Sequence, residues 1–537
     1  MRTGLSKSLI ERVLGRAPKW TIAELEKKFP PRSLPEGAMV TRFAPSPTGF
    51  MHIGNLYGML IDKKLARQSS GVFYLRIEDT DTKREVAGAV DVILQAAKAF
   101  EVLPDEGPRF DGTSEIQDAG EYGPYYQSKR RDIYHSVAAE LLASGRAYPC
   151  FLSPDEMERI RERQKAAGFA TGIYGEWAKW RDANEPEIIA QLDAGIMPSI
   201  RLYSFGNKDQ RIFCKDAVRG SISFPENDED IVLIKSNDGL PTYHFAHLVD
   251  DHFMRTTHVV RSEEWMPSLP LHVQLFDMMG WNQPVYIHTS TLDAIDAETG
   301  NQRKLSKRKD REANLANVLA DGWPVEAALE YLFNIMSSAY EEYKAKGKVK
   351  NIWDAELKVK KIPSSGALFD RKKLEWWSKE FIATLPLSDL VQRVSNWANE
   401  YGTDSERRMT GDEKYLSAIL SIERDDPKRI RKDFITWKQT LEEISYFFDD
   451  FFQSASIQEI NEDVLHEFLR SFDFKDQKDL WWEKITKIAA DLGIKNGDAA
   501  MALRIAVTGR SQTPDLYSIM QVMGEDRVRR RIEKATQ

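Results

Sequence analysis

Cysteine is almost missing: the 537 residues contain two, Cys150 and Cys214. Two thiols cannot build a disulfide framework, and no pair has the spacing of zinc ligands, so small disulfide-stapled or zinc-stapled scaffolds are excluded and a reducing compartment is expected. No apolar run approaches the roughly 18 residues that a membrane-spanning helix needs. Residues 1–20 lack the apolar stretch of a secretory signal, although their basic, acid-poor character leaves a transit peptide open. There is no G-x-x-x-x-G-K-[ST], no G-x-G-x-x-G and no H-E-x-x-H, and no internal repeat or low-complexity segment. A nucleotide, if one binds, is held by another device.

What is present is ordinary in bulk. Hydrophobic residues make up 42% and charged residues 29%, near the globular average, and the length predicts three or four domains at about 150 residues each. The net charge of −8 argues mildly against a nucleic-acid partner, but it is uneven: residues 1–38 carry +4 and residues 341–361 carry +3, leaving −15 elsewhere. Screening over about 8 Å lets a local basic surface bind phosphates on an acidic protein. Each Lys-rich stretch reads equally as a solvated helix face, so charge leaves the partner undecided.

Along the chain, residues 1–38 read as two short helices, with Ser6 or Ser8 capping the first and Thr21 with Glu24 forming a capping box on the second. Met39–Ala44 reads as a strand, broken by Pro45-Ser-Pro-Thr-Gly49, then a helix from about 52 to 67 and a buried-type strand at 71–77. Strand, helix, strand within 40 residues predicts a parallel βαβ unit. Helices are expected near 127–144 and 153–168, and strands again at 230–234 and 257–261, so an open α/β sheet interrupted by an insertion is expected. After about 325 the pattern is almost wholly helical, and the pairs Trp376-Trp377 and Trp481-Trp482 read as core.

Two motifs carry chemistry. Pro45-Ser-Pro-Thr-Gly49-Phe-Met-His52-Ile-Gly54-Asn55 sits at the first strand-to-helix turn, where open α/β sheets bind ligands and a helix N-terminus suits phosphate. Gly54 permits close approach, and His52 and Asn55 share a helix face from which both could donate to phosphate. Lys304-Leu-Ser-Lys307-Arg308 could clamp a polyphosphate with two point charges. Taken alone, the first reads more readily as a structural histidine and the second as a solvated basic loop.

Together, and in this order, the motifs resemble the HIGH and KMSKS motifs of class I aminoacyl-tRNA synthetases. Arg42-Phe-Ala-Pro-Ser-Pro-Thr-Gly49, Arg76-Ile-Glu-Asp-Thr-Asp81, Gly123-Pro-Tyr-Tyr-Gln-Ser128, Thr242-Tyr-His-Phe-Ala246, Val249-Asp-Asp251, Phe369–Leu374 and Leu503–Gly509 narrow the resemblance to the bacterial-type glutamyl-tRNA synthetases, over residues 39–537. The resemblance implies a Rossmann-like α/β catalytic domain at 39–118 and 226–325, an acceptor-stem-binding insertion at 119–225, a helical stem-contact domain at 326–395 and a helical anticodon-binding domain at 396–537, behind a helical extension at 1–38. It implies catalytic roles for His52, Lys304, Ser306 and Lys307, and ATP contacts from His52, Gly54, Asn55, Glu264 and Lys307. It implies glutamate contacts from Arg42, Ala44, Ser46, Glu78, Tyr243, His247 and Arg261. ATP with Mg²⁺, L-glutamate and tRNA(Glu) are the implied substrates, for a cytoplasmic monomer without a membrane partner.

The departures are specific. Asn55 replaces a histidine, KLSKR replaces KMSKS, and His247 stands where an asparagine is expected, able to donate a hydrogen bond or to add positive charge near a carboxylate. Relatives' zinc knuckle has only Cys150 in its place, so no protein metal site and no zinc are expected, and both cysteines are expected to be buried. The alternatives are glutaminyl charging, a non-discriminating enzyme that also glutamylates tRNA(Gln), a shortened base-modifying paralogue and an inactive tRNA-binding paralogue. The basic runs 428–432 and 527–534 are candidate tRNA contacts.

Overall fold

A computed structural model of the chain describes residues 3–81, 83, 85–110, 115–296, 298–306, 309–426, 430–452 and 461–536. It forms two compact units: residues 1–316 with 332–369, and residues 317–331 with 370–537. The stretch 326–395 is thus shared between the two.

In the first unit, strand Val40–Phe43 pairs in parallel with Val72–Leu75, and His258–Ser262 pairs in parallel with Val285–Thr289. Thr257 N donates to Val40 O at 3.0 Å, which sets the two pairs side by side. Helix Ile53–Gln68 crosses from the first strand to the second and buries Leu56, Leu60, Ile61 and Leu65. This is the expected βαβ unit. The strand Val232–Ile234 does not extend it: it pairs antiparallel with Ser199–Leu202, which also pairs with Ala147–Cys150, so it closes a sheet of the insertion. The apolar run Ile231–Ile234 revealed a strand but not its partner. Helix Tyr243–Phe253 buries Phe245, Leu248, Val249 and Phe253 in a core shared with Leu9 and Leu25 of the N-terminal helices Lys7–Leu14 and Ile22–Lys28 and with Phe29, which ends the second. The Thr21–Glu24 capping box is formed, whereas Ser6 is an N-cap without a side-chain bond. Both cysteines are buried.

The second unit is built of helices around Val394, Leu441, Phe447, Leu503, Ile519 and Ile532. Of each tryptophan pair, Trp377 and Trp481 are buried while Trp376 and Trp482 stay exposed, since adjacent helical residues point about 100° apart. The basic run 527–534 is largely engaged within the unit: Arg527, Arg530 and Arg531 converge on Asp449, and Arg531 is buried against Tyr446 O and Val507 O. Lys432 pairs with Glu380 at 2.7 Å, and residues 427–429 lie outside the described residues.

Candidate active site

At the carboxyl ends of the four parallel strands lies a cleft of about 370 Å³. One wall is the start of helix Ile53–Gln68, with His52, Gly54, Asn55 and Gly58. The other holds Arg261, Glu264 and Thr289–Leu292, followed by Lys304 and Leu305. Two segments some 250 residues apart therefore line one cavity. A hydrogen bond from Leu315 N to Met51 O (3.2 Å) returns the chain after the basic loop to the foot of the histidine helix.

The geometry fixes the state of His52. Its Nδ1 accepts from Gly54 N at 2.9 Å, while Asn55 Oδ1 accepts from His52 N at 3.0 Å, a reciprocal cap. An imidazole that accepts at Nδ1 is neutral and carries its proton on Nε2. His52 is therefore set to donate from Nε2, and Asn55 can donate only from its amide nitrogen. Both also satisfy the helix start, so the structural role that the motif taken alone suggests for His52 is present alongside its place on the cleft. A Cβ on Gly54 would sit 3.1 Å from His52 Nδ1 and push against the ring.

Gly58, one turn on, was not singled out in the sequence. A Cβ there meets nothing within 4 Å, and the residue lines the cleft. Gly58→Ala is expected to stabilise the helix by up to about 1 kcal/mol. Gly58→Leu takes ligand space and is expected to raise KM for a cleft nucleotide about tenfold or more, the size of an ordinary overpacking penalty. Steady-state kinetics on the two variants check the contrast.

The basic loop is braced from beneath. Arg303 donates to both oxygens of Asp310 (2.6 and 2.8 Å) and to Asp296 (3.0 Å), and Ser306 N donates to Asp310 at 2.8 Å. Arg303 holds the Asp310 carboxyl below its ordinary value. Lys304 pairs with Glu264 at 2.7 Å, both half-exposed at the cleft. Lys307 and Arg308 lie outside the described residues.

Beside the cleft is a buried ionic network. Arg76 donates to Asp251 (2.7 Å) and Glu78 (3.1 Å), Arg130 donates to Asp250 (2.6 Å), and Arg42 lies 3.5 Å from Asp251. Burial opposes the Asp251 carboxylate, but Arg76, Arg42 and His247 outweigh it and hold its pKa well below the usual range. Burial raises Glu78, against the pull of Arg76 and Arg42. Glu78 N donates to Pro45 O at 3.0 Å, which ties it to the loop carrying Ala44 and the exposed Ser46. Of the two roles open to His247, burial removes the cation: its pKa falls to about 4, Nδ1 lies 2.5 Å from Asp251 and Nε2 lies 3.1 Å from Tyr286 Oη.

Arg261 joins the network to the cleft. Its Nε donates to His288 Nε2 (2.9 Å) and its Nη1 to His272 Nδ1 (3.1 Å) and Tyr243 Oη (3.4 Å). Because arginine only donates, both imidazoles must accept from it. His288 then carries its proton on Nδ1 and donates to Asp216 (2.8 Å), and His272 donates from Nε2 to His244 Nδ1 (3.0 Å). Arg261 is thus aimed by two neutral histidines, while its Nη2 is buried with no hydrogen-bond partner among the described residues. Ser290 Oγ is likewise buried with no hydrogen-bond partner among the described residues, whereas Arg42 Nε, also without a hydrogen bond there, faces Asp251 at 3.5 Å. His272, His288 and Ser290 were missed in the sequence; the signal for the last two was the polar string His288-Thr-Ser-Thr291 closing an apolar strand, and His272 had none.

These histidines make a pH prediction. Burial lowers both His244 and His247 to about 4, from the ordinary 6.5. A depressed folded pKa means that the unfolded chain takes up protons first as pH falls, so stability declines between about pH 6.5 and 4. Urea midpoints should fall through this window, and His247→Asn should flatten the fall.

Residues 38–376 match the family described as tRNA synthetases class I (E and Q), catalytic domain, and residues 389–536 match an anticodon binding domain. The chain belongs to the class I tRNA synthetases of this E and Q family. It is 42% identical over 532 residues to a glutamate–tRNA ligase of Clostridium perfringens strain 13, covering 94% of this chain and 96% of that one. It is 43% identical over 528 residues to a glutamate–tRNA ligase of Acetivibrio thermocellus, covering 94% and 95%. A crystal structure of a glutamate tRNA ligase from Elizabethkingia meningosepticum in complex with its amino acid superposes with a TM-score of 0.72 at 27% identity, covering 93% of this chain and 99% of that one. The α/β catalytic fold and helical C-terminal half expected from the sequence are those of this class.

Proposed function

We propose that the chain is a glutamate–tRNA ligase, which activates L-glutamate with ATP and transfers it to the 3′ end of tRNA(Glu). The observation that carries this reading is the convergence of His52 and Lys304 on one cleft beside Arg261. A glutamate carboxylate oxygen attacks the α-phosphorus of ATP in line and pyrophosphate leaves; the terminal ribose hydroxyl of the tRNA then attacks the acyl carbon and AMP leaves. The protein positions the reactants and stabilises developing charge. His52 donates from Nε2 to phosphate, with Gly54, Asn55 and Glu264 along the nucleotide, and Lys304 and Lys307 supply cations as Ser306 supports their loop.

ATP enters with Mg²⁺ as part of the substrate. In this reading the ion is carried by the phosphates rather than by a protein cage. The Nη2 of Arg261, without a hydrogen-bond partner among the described residues, suits one of glutamate's carboxylates; Arg42 is the second cation in this reading, and Glu78 suits the ammonium. Ala44, Ser46, Tyr243 and His247 complete the amino-acid side in this reading. In the second unit, a cleft of about 440 Å³ lined by the exposed Trp482 together with Arg504 and Pro514 offers a stacking face and a cation to anticodon bases. The same reading makes the enzyme a cytoplasmic monomer without zinc.

Aminoacylation of purified tRNA(Glu) and tRNA(Gln), each with glutamate and with glutamine, tests it. Glutamate on tRNA(Glu) is the expected product. Glutamate on both tRNAs would make the enzyme non-discriminating, and a preference for glutamine would overturn the reading.

A further inference from the structure

The first 37 residues lie outside the matched catalytic domain, yet Leu5, Leu9, Val13, Leu25 and Phe29 among them are built into its core. The first helix packs on the insertion, where Arg12 pairs with Asp193 and Ser6 N donates to Glu185, while the segment from Glu26 to Arg32 grips a single turn of the catalytic domain. Glu26 places Oε1 2.7 Å from His252 Nε2 and Oε2 2.5 Å from Arg255 Nη2. Arg255 also donates from Nε to Phe29 O at 2.9 Å. Arg32 donates from Nε to Met254 O (3.1 Å) and makes a two-pronged pair with Glu106 (2.7 and 2.9 Å), with its guanidinium 3.8 Å over the Tyr122 ring. Trp281 stacks on His252 at 3.7 Å from the other side.

The turn so gripped, Met254–Thr257, joins helix Tyr243–Phe253 to strand His258–Ser262. The helix carries Tyr243, His247, Asp250 and Asp251, and the strand carries Arg261. Arg255 takes φ = 61°, a left-handed backbone that a residue with a Cβ rarely adopts without being held there. The holders are Glu26 and Phe29 O. The next two residues transmit the position inward: Thr256 Oγ1 lies 3.1 Å from Asp251 Oδ1 and 2.6 Å from Tyr74 Oη, and Thr257 N bonds Val40 O at 3.0 Å.

We propose that Glu26 and Arg32 are positioning residues of the amino-acid subsite: the N-terminal arm clamps the Met254–Thr257 turn and so sets the separation of Tyr243 and Asp251 from Arg261. This rests on the assignment of Arg261 to the glutamate subsite. It gives the basic N-terminal segment a role in the reaction that needs no contact with tRNA.

The test is tRNA charging by the full-length enzyme carrying Glu26→Ala, Glu26→Gln, Arg32→Ala or Arg261→Ala. KM is measured separately for glutamate and for ATP, with thermal midpoints alongside. Glu26→Ala is expected to raise KM for glutamate about tenfold, as displacement of a positioned group does, and to leave KM for ATP within about twofold. Glu26→Gln keeps an acceptor for Arg255 and should recover most of the loss. Arg32→Ala carries the same expectation should Glu26→Ala fail to fold. A lowered thermal midpoint with both KM values unchanged, or a parallel rise in both, would reduce the arm to general packing and overturn the proposal. Arg261→Ala separates the two readings. If it leaves KM for glutamate unchanged, the subsite assignment falls; if it raises KM while the arm variants do not, only the clamp falls.

Discussion

Arg261→Ala is expected to lower kcat/KM for glutamate in tRNA charging by about 10³-fold, with KM for ATP nearly unchanged. Two charge-assisted hydrogen bonds to a carboxylate, each worth about 2 kcal/mol, account for this size. The aim of the guanidinium is fixed in advance, because His272 and His288 accept two of its N–H groups and leave Nη2 without a partner among the described residues. The alanine variant also leaves those two buried imidazoles without a donor, so a stability loss of about 1–3 kcal/mol for each should accompany the kinetic loss. Arg261→Lys should recover little, since one ammonium cannot serve both histidines and a carboxylate at once. Steady-state charging with KM resolved for each substrate decides it: a KM for glutamate within about threefold of the parent would take Arg261 out of the amino-acid site.

His52→Ala and Lys307→Ala are each expected to lower the rate of tRNA-dependent ATP–pyrophosphate exchange by about 10²-fold or more, the usual loss when one transition-state donor is removed. Both are assigned to one set of phosphates, so the double variant should lose less than the product of the single losses. His52 is also a helix cap, worth about 1 kcal/mol. His52→Asn keeps a capping acceptor without the imidazole and should therefore restore stability but not rate. Strictly multiplicative losses would mean that the two side chains act on separate steps.

Much of this site could be read from the sequence because its chemistry sits in local strings. The turn around His52 and Gly54, the Arg42 and Glu78 strand ends and the Lys304 loop each declare a residue type at a strand end or helix start, and the parallel strands carry them to one side. What could not be read depends on partners distant in the chain. Nothing local to His272 or His288 says that Arg261 will lie between them, or that Glu26 will reach Arg255, 229 residues away. The state of His247 was hidden for the same reason: its spacing from Tyr243 is visible, but the enclosure that keeps it neutral is a property of packing. The strand at 232–234 was recognisable as a strand and misassigned to the parallel set, because a short continuous apolar run marks a buried strand without naming its neighbour. In the run 527–534, composition showed a basic surface where Asp449 instead gathers Arg527, Arg530 and Arg531.

The most direct measurement of the central claim is a crystal structure of the enzyme with a non-hydrolysable ATP analogue. The triphosphate is predicted to lie between His52 Nε2 on the helix side and Lys304 with Lys307 on the loop side, with the adenosine along Gly54 and Gly58. An analogue bound in full occupancy that touches one of these segments while the other stays remote from it would contradict the account.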